Sequence, residues 1–402
     1  MRSVADHLNL CLDHVAPLAP LGVVLPDTVG CVLAETVMAP FDRPVADQAT
    51  CDGYAVRAED LEGANDAHPA KLDVLGELRA GDTQPVALVP GACLRIASGA
   101  PLPGGADTVV PLDVTDQDPR VVSVFCEAEV GENIIYRGED VAQGSEILTS
   151  GTRIDARQVA LLAGVGRLRV QVRPKPRVVI VSIGDELVEP GQRADVGAVF
   201  DANGHALACA VADAGATTFR VSAVPDDPTT LSEVLHNQLM RADVLVTTGG
   251  LSYGSGDTVK EVLSPLGTVR FDNVAMSPGK QFGVGTLDNV PIFCLPGDPV
   301  AAQIGYEIFV RPCLRKMAGW EDYYRPAIRA KVTHGWLSPS GKREFARVTL
   351  SGDPQEGYTA TPEGDQDQLL LTALARSNAL AVVPEGVGEV RAGDELYCMV
   401  LD

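Results

Sequence analysis

Three loops in the second half of the chain set acidic side chains beside glycines at the ends of apolar runs. "VVIVSIGDEL" closes on Gly184, Asp185 and Glu186, and "VLVTTGGLSYGSGDTVKEVL" carries a Gly-rich turn with Asp257 just before a helix-like stretch. "IFCLPGDPVAA" has Pro296-Gly297, then Asp298 at an expected N-cap and Pro299 at the first helical position. Glycine-rich loops that open onto helices offer backbone N–H groups to an anion such as phosphate. Carboxylates in the same crevice repel that anion unless a hard cation such as Mg²⁺ lies between them. The set therefore predicts a metal-bridged phosphate site. Lys280 in "MSPGKQFGVG", just after a Pro-Gly turn, adds a point charge for the same anion. Taken singly, Asp257 and Asp298 read as helix caps, the glycines as turn formers and Lys280 as a solvated cation.

A further pair of carboxylates, Asp47 and Asp52, brackets the corner in "DQATCDGYAV". Turn chemistry accounts for it locally: Gly53 tolerates positive φ, Asp52 can bond its own backbone, and Tyr54-Ala55-Val56 starts a strand. Other chemistries lack their signatures. The sequence has no GxxxxGK[ST], no GxGxxG after the first α/β strand and no GxSxG elbow, which argues against a P-loop, a dinucleotide fold and a serine hydrolase.

The elements that must carry these loops follow from periodicity. Residues 1–24 read as an amphipathic helix, with Val4, Leu8, Cys11, Leu12 and Val15 at helical spacing. From about 45 to 143, short strands ("KLDVLGEL", "ACLRIASG", "DTVVPLDV", "RVVSVFCEAEV") alternate with Gly/Pro turns, a small β domain. "DARQVALLAGVG" is a helix with Asp155 as N-cap, "RLRVQV" a strand, and "RPKPR" at 173–177 a linker. Beyond it, buried-strand candidates ("RVVIVSIG", "TTFRVSAV", "DVLVTTGG", "VPIFCLPG") alternate with helices, which means an α/β domain with a mostly parallel sheet. After about 322 the chain returns to short strands, a compact C-terminal β module.

With 46% apolar and 21% charged residues, the 402-residue chain can bury sizeable cores in several domains. Its formal charge of −22 disfavours nucleic acid and anionic membranes as partners. The nine cysteines include no CxxC pair and the six histidines no HxxxH, so reduced thiols and no transition-metal site are expected. Cys209, Cys294 and Cys313 read as plain core residues. No apolar run approaches the roughly 20 residues of a membrane span and the start lacks signal-peptide order, so a soluble cytoplasmic protein is expected.

In order along the chain, "DQATCDGYAV", "ASGAPLPGGADTVV", "RGEDVAQG", "VSIGDELVEPG", "TTGGLSYGSGDTVKEVL", "MSPGKQFGVG" and "LPGDPVAAQIGYEIFVRPCLRKMAG" resemble the molybdopterin molybdenumtransferases, the MoeA type also seen as the gephyrin E domain. The resemblance spans essentially the whole chain. It implies a multidomain α/β plus β fold. A three-layer molybdopterin-binding domain comprises 1–24 and 173–322, and a linker domain comprises 25–44 and 144–172. A β domain at 45–143 carries the DGYAV motif, and a β-barrel-like domain spans 323–402. It implies a homodimer in which the partner's β domain closes the cleft, with the molybdopterin adenylyltransferase and recipient molybdoenzymes as further partners. The implied reaction cleaves adenylylated molybdopterin, releases AMP and inserts molybdate at the dithiolene, with Mg²⁺ assisting. Carried over by position, Asp52, Asp140, Glu186 and Asp257 are implied to be catalytic, and Asp52, Glu186 and Asp257 to hold the metal. Ser98, Asp226, Gly249, Gly250, Ser252, Lys280, Pro296, Gly297, Pro299 and Arg347 are implied to bind substrate.

Five positions depart from the family's usual pattern. Cys51 replaces the Met before Asp52, a tolerable apolar swap. Met276 stands where the first Lys of a "KPGKP" loop is usual, Asp298 where Asn is, Gly204 where an Arg often follows Asn203, and Gln368 where a molybdate-binding Ser is expected. Loss of a cation facing the oxyanion would weaken its binding by about 1–3 kcal/mol, and Asp298 places negative charge at a helix start expected to face an anion. Two readings follow: an active insertase, favoured by the retained carboxylates, or a paralogue that binds molybdopterin or a partner molybdoenzyme without efficient insertion, favoured by Met276, Asp298 and Gln368. A third takes only the α/β segment as kin to competence-damage proteins; "CDGYAV" and the C-terminal β module argue against it.

Overall fold

The computed structural model describes residues 1–82, 86–251 and 257–401. Its chain divides into two compact units, one formed by 35–150 with 156–168, the other by 1–34, 151–155 and 169–402.

The first unit is built on five strands: β1 (Gly53–Val56), β2 (Ala70–Leu78), β3 (Ala92–Ile96), β4 (Thr108–Pro111) and β5 (Val121–Val124), in the order β4-β1-β3-β2-β5. Every residue of β1 is buried, because both faces of the sheet carry core: Ala55 packs with Leu94, Ile96 and Val109, while Tyr54 and Val56 pack with Leu72, Val110 and Val122. Gly53 has a different reason to be glycine from the one expected. It does not take a positive φ. It faces the β4 backbone so closely that a Cβ would lie 2.1 Å from the Val110 carbonyl oxygen.

In the second unit the α/β sheet comprises β6 (Arg177–Ile183), β7 (Thr217–Val224), β8 (Val244–Thr248), β9 (Val269–Asn273), β10 (Gln281–Leu287) and β11 (Val290–Leu295). The order is β7-β6-β8-β11-β10-β9, with the first four strands parallel and the last two antiparallel. Continuous Val/Ile/Leu runs suit strands covered on both faces, and two separate cores lie on this sheet, one with Val178, Ile180, Val246 and Phe293, the other with Val179, Val181, Leu245 and Ile292. The helices are α1 (Val4–Asp13), α2 (Ala202–Asp213), α3 (Pro228–Gln238) and α4 (Thr258–Leu263), then α5 (Pro299–Gly305), which continues through a π turn at Tyr306–Val310 into α6 (Arg311–Met317). The π turn falls where Pro312 has no N–H to donate to Ile308.

The first helix is shorter than its apolar spacing suggested. It stops at Asp13, ahead of Pro17 and Pro20, and Leu21–Val24 instead pairs as a strand with Arg169–Arg173. The C-terminal strands β12 (Ala327–Val332), β13 (Arg343–Asp353), β14 (Gly357–Pro362), β15 (Ala379–Val383) and β16 (Glu395–Val400) run β13-β14-β12-β16-β15 and close back onto β13, a five-stranded barrel. Met276-Ser277 adds to this barrel by pairing in parallel with Arg343-Glu344. All nine cysteines are free thiols. Cys294 and Cys313 are buried as expected, whereas Cys209 is exposed on α2. Among the described residues no helix is long and apolar enough to cross a membrane.

Candidate functional site

The chain leaves β6 for β7 on one side and returns past it to β8 on the other, so the sheet has its switch point at the carboxyl ends of β6 and β8. In register, Ser182 on β6 pairs with Thr248 on β8, and Thr248 with Leu295 on β11, so the three strands end level. A cavity of about 180 Å³ opens there, lined among others by Glu186, Asn203, Asp226, Thr248, Gly249, Gly250 and Gly297. Glycine is required at its wall. Gly249 has φ +89° and a Cβ on it would fall 2.2 Å from the Ile183 carbonyl oxygen; a Cβ on Gly297 would sit 3.4 Å from the Gly249 Cα. The β8 and β11 loops can therefore touch backbone to backbone.

Two carboxylates flank this space. Glu186 folds back over Gly184, where a Cβ would lie 2.6 Å from its Oε2, so the missing side chain at 184 makes room for the acid. Asp226, in the β7–α3 loop, donates its N–H to Asp185 Oδ1 at 3.0 Å and accepts at Oδ1 from Thr258 Oγ1 at 3.2 Å. That second bond ties the loop to the start of α4. Asp257, one residue earlier, holds the N-cap position yet makes no side-chain cap bond; its carboxylate lies 2.8 Å from Lys260 Nζ. Lys260 also reaches Gln281 Oε1 at 3.3 Å, which brings the exposed Lys280 segment beside Asp257. Among the described residues no three His, Cys, Asp or Glu side chains gather as a ligand set.

The floor is a hydrogen-bonded frame. Thr248 Oγ1 donates to the Pro296 carbonyl at 2.8 Å, and Asn203 Nδ2 donates both to Thr248 Oγ1 at 2.9 Å and to the Gly297 carbonyl at 2.8 Å. Asp298 caps α5 by accepting from Ala301 N at 2.9 Å, with Pro299 as the first helical residue, so here the capping reading describes the side chain fully. Asn203 and Thr248 were not among the expected site residues; in "DANGH" only the missing Arg at 204 had drawn notice.

Several expected residues behave differently from what their positions suggested. Met276 is completely buried, in the same core as Phe282 and Phe309, so its side chain does not face an anion. This corrects the expectation attached to that position. Arg347 is 2% exposed, and its guanidinium is committed to the 365–368 loop: Nη1 donates to Gln368 O at 2.7 Å, Nη2 to Asp365 O and Gln366 O at 3.0 and 3.1 Å, and Nε to Gln366 Oε1 at 3.3 Å. Its geometry is that of a strut for this loop. Burial holds its affinity for the proton below the ordinary arginine range, partly offset by Glu344, Asp365 and Asp298. Gln368 bonds Asp365 Oδ2 through Nε2 at 3.2 Å within the same loop. At Gly204 any side chain would begin 2.4 Å from Asp201 Oδ2 and 3.0 Å from Arg220 Cδ. Arg220, from β7, fills that place and pairs with Asp201 at 3.3 Å and Glu189 at 2.7 Å. Ser252 lies outside the described residues.

In the other unit, Asp52 and Ser98 stand together. Asp52 Oδ1 accepts from Ser98 N at 2.7 Å, and Ser98 Oγ donates to the Thr50 carbonyl at 3.1 Å, so Asp52 is held from the turn after β3. Its carboxylate is exposed. Asp140 pairs instead with Arg43 Nε at 2.9 Å, in a groove of about 670 Å³ lined also by Phe41 and Gly164. A groove of about 830 Å³ beside α1 and β9 has no Gly-rich strand end. Burial pushes the Cys294 thiol up to about 12, which leaves no reactive thiolate there.

Comparison with known proteins agrees with this construction. Residues 2–166 match the family model of the MoeA N-terminal region (domain I and II), 179–316 that of a probable molybdopterin binding domain, and 329–401 that of the MoeA C-terminal region (domain IV). The chain is 38% identical to molybdopterin molybdenumtransferase 2 of Mycobacterium tuberculosis over 98% of each chain, and 34% identical to the molybdopterin molybdenumtransferase of Nostoc over 100% of this chain and 94% of the other. The molybdopterin biosynthesis MoeA protein of Pyrococcus horikoshii superposes with a TM-score of 0.83 at 29% identity, covering 100% of this chain and 99% of that one. Sheet order, closed barrel and whole-length likeness together place the chain in the MoeA family of molybdopterin molybdenumtransferases.

Proposed function

We propose that this protein transfers molybdenum to molybdopterin: it cleaves the pyrophosphate of adenylylated molybdopterin, releases AMP and inserts molybdate at the dithiolene. The observation that supports this most strongly is likeness over the whole chain, N-terminal and barrel regions included, to proteins named for that activity. Of the three positions that favoured a binder without efficient insertion, Met276 no longer counts for it, because it is a core residue.

The residues of the cavity suit the parts of this reaction. Backbone at Gly249, Gly250 and Gly297 allows close approach of a phosphate, and Glu186 and Asp226, which line the same cavity, would supply oxygen ligands to a bound cation. Two carboxylates are a fitting set for Mg²⁺ shared with a phosphate ligand, because Mg²⁺ commonly takes one or two carboxylates, waters and substrate oxygens in place of an all-protein cage. When bound, the ion would offset negative charge on the pyrophosphate. Asp257 and Lys260 provide a second charged pair near the mouth, and Lys280 a cation close by. Asp52 and Ser98 we assign to the partner subunit's cleft, with the protein acting as a cytoplasmic homodimer; Asp140 we keep as a candidate in the same cleft. Purified protein with adenylylated molybdopterin, molybdate and Mg²⁺ should release AMP and yield a product that activates a cofactor-free molybdoenzyme. Pterin binding without AMP release would favour the binder instead.

A further inference from the structure

The loop that carries Glu186 leaves β6 after Ile183 and ends at Asp201, the N-cap of α2. Its two arms meet in a short parallel pairing of Leu187-Val188 with Val199-Phe200. There Val199 N donates to the Glu186 carbonyl at 2.8 Å, and Asp201 N to the Val188 carbonyl at 2.9 Å. Two paired residues on each arm are a weak tether, and Val199 and Phe200 are themselves exposed. Arg220 holds both arms from outside the loop. It stands on β7 in register with Ile180 of β6, so the sheet fixes its root. Its guanidinium forks onto Glu189, Nη1 to Oε1 at 2.7 Å and Nη2 to Oε2 at 2.8 Å, and Nη1 also reaches Asp201 Oδ2 at 3.3 Å. Glu189 lies on the outgoing arm, three residues beyond Glu186, and Asp201 closes the returning one. Asp201 is 1% exposed and is fixed in turn by Ser182 Oγ at 2.9 Å and Gly204 N at 2.8 Å. A two-point fork fixes direction as well as distance, which a single-point ion pair does not. Without it two carboxylates, one on each arm, would lose the cation they share.

We infer that Arg220 is a positioning residue for the cavity: by clamping both arms of the 184–201 loop to β7, it fixes where the Glu186 carboxylate stands at the strand ends. Arg220 does not line the cavity and acts through Glu186 alone. This rests on the reading of that cavity as the reacting site. A shift of about 1 Å in a catalytic group can cost a hundredfold in rate. Loss of a clamp one step removed therefore shows in turnover, with substrate affinity nearly unmoved.

The test compares wild type, Arg220→Met and Arg220→Lys in the full chain. AMP release from adenylylated molybdopterin gives kcat and KM, and amide hydrogen exchange gives the protection of 186–201. Arg220→Met should lower kcat at least about fivefold, with KM within about twofold. Exchange within 186–201 should quicken at least about tenfold, with β6 and β8 unchanged. Arg220→Lys keeps the charge without the fork, so it should fall between the two in both readouts. Unchanged kcat overturns the inference, as does a raised KM with kcat intact. A lowered kcat with 186–201 as protected as in wild type also overturns it, because the loss would then not pass through the loop. Faster exchange across β6 and β8 as well would make Arg220 a general strut and overturn it too. If wild type releases no AMP, the functional reading itself falls, and the inference with it. Should the methionine variant not fold, the lysine variant alone carries the same comparison against wild type.

Discussion

Replacing Met276 with lysine separates two accounts of one loop. If position 276 faced the oxyanion, the variant would bind molybdate more tightly. The structure buries Met276 completely, packed in the core that holds Phe282, Phe309 and Val274. A lysine there gives up about 2 kcal/mol of apolar burial. Held neutral in the core at pH 7, its amine adds about 4–5 kcal/mol, at 1.36 kcal/mol for each unit below an ordinary value of 10.4. Some of that is recovered if the stem bends outward, so a net loss of at least about 4 kcal/mol is expected. The sign with pH follows from linkage. The unfolded chain binds the proton and the folded core does not, so the variant's stability rises with pH. At pH 9 the charge cost falls to about 2 kcal/mol, so the deficit should shrink by about 3 kcal/mol between pH 7 and pH 9. Urea unfolding followed by circular dichroism at both pH values measures it, with molybdate titration alongside. An unchanged unfolding midpoint together with tighter molybdate binding would refute the burial argument.

Other substitutions probe the remaining parts. Asp52→Asn should lower AMP release at least about tenfold with the melting curve nearly unchanged, since the amide Oδ1 can still accept from Ser98 N; unaltered turnover would return Asp52 to a purely structural part. Gly53→Ala forces β1 away from the Val110 carbonyl and should cost about 2–3 kcal/mol in thermal or urea unfolding, while a neutral result would mean the strands separate freely. Arg347→Lys replaces a planar fork that serves three carbonyls and one side-chain amide; about 2 kcal/mol of stability and faster proteolysis within 363–370 are expected, and unchanged cleavage would show that the loop stands without it.

Legibility in the sequence followed the range of the interactions involved. Apolar runs such as "VVIVSIG" and "DVLVTTGG" announce strands covered on both faces, and the loops after them are where an open α/β sheet places its ligand. Interactions between distant segments were out of reach. Nothing local distinguishes Gly53 as a close-approach glycine from one in a turn, because the clash comes from Val110, far along the chain. Arg347 looks available until the carbonyls of 365–368 are seen to take its donors. Asn203 sits in an ordinary helix start, and only the placement of Thr248 and Gly297 leaves its Oδ1 alone. Met276 is apolar by type, and its burial followed once its strand was known; only its position in the loop had suggested a place facing the anion. The helix expected over 1–24 failed for a local reason, since Pro17 and Pro20 outweigh the apolar spacing beyond Asp13.

The central claim is that a carboxylate on a β-domain corner in one subunit completes a cavity at strand ends in its partner. Mixing two inactive variants tests it most directly. Asp52→Asn and Glu186→Gln are refolded together, and AMP release is compared with each variant alone. In random heterodimers one of the two sites regains both wild-type groups, so the mixture should recover about a quarter of wild-type turnover. A mixture no more active than its parents would contradict the claim, as would a Glu186→Gln protein that turns over at the wild-type rate by itself.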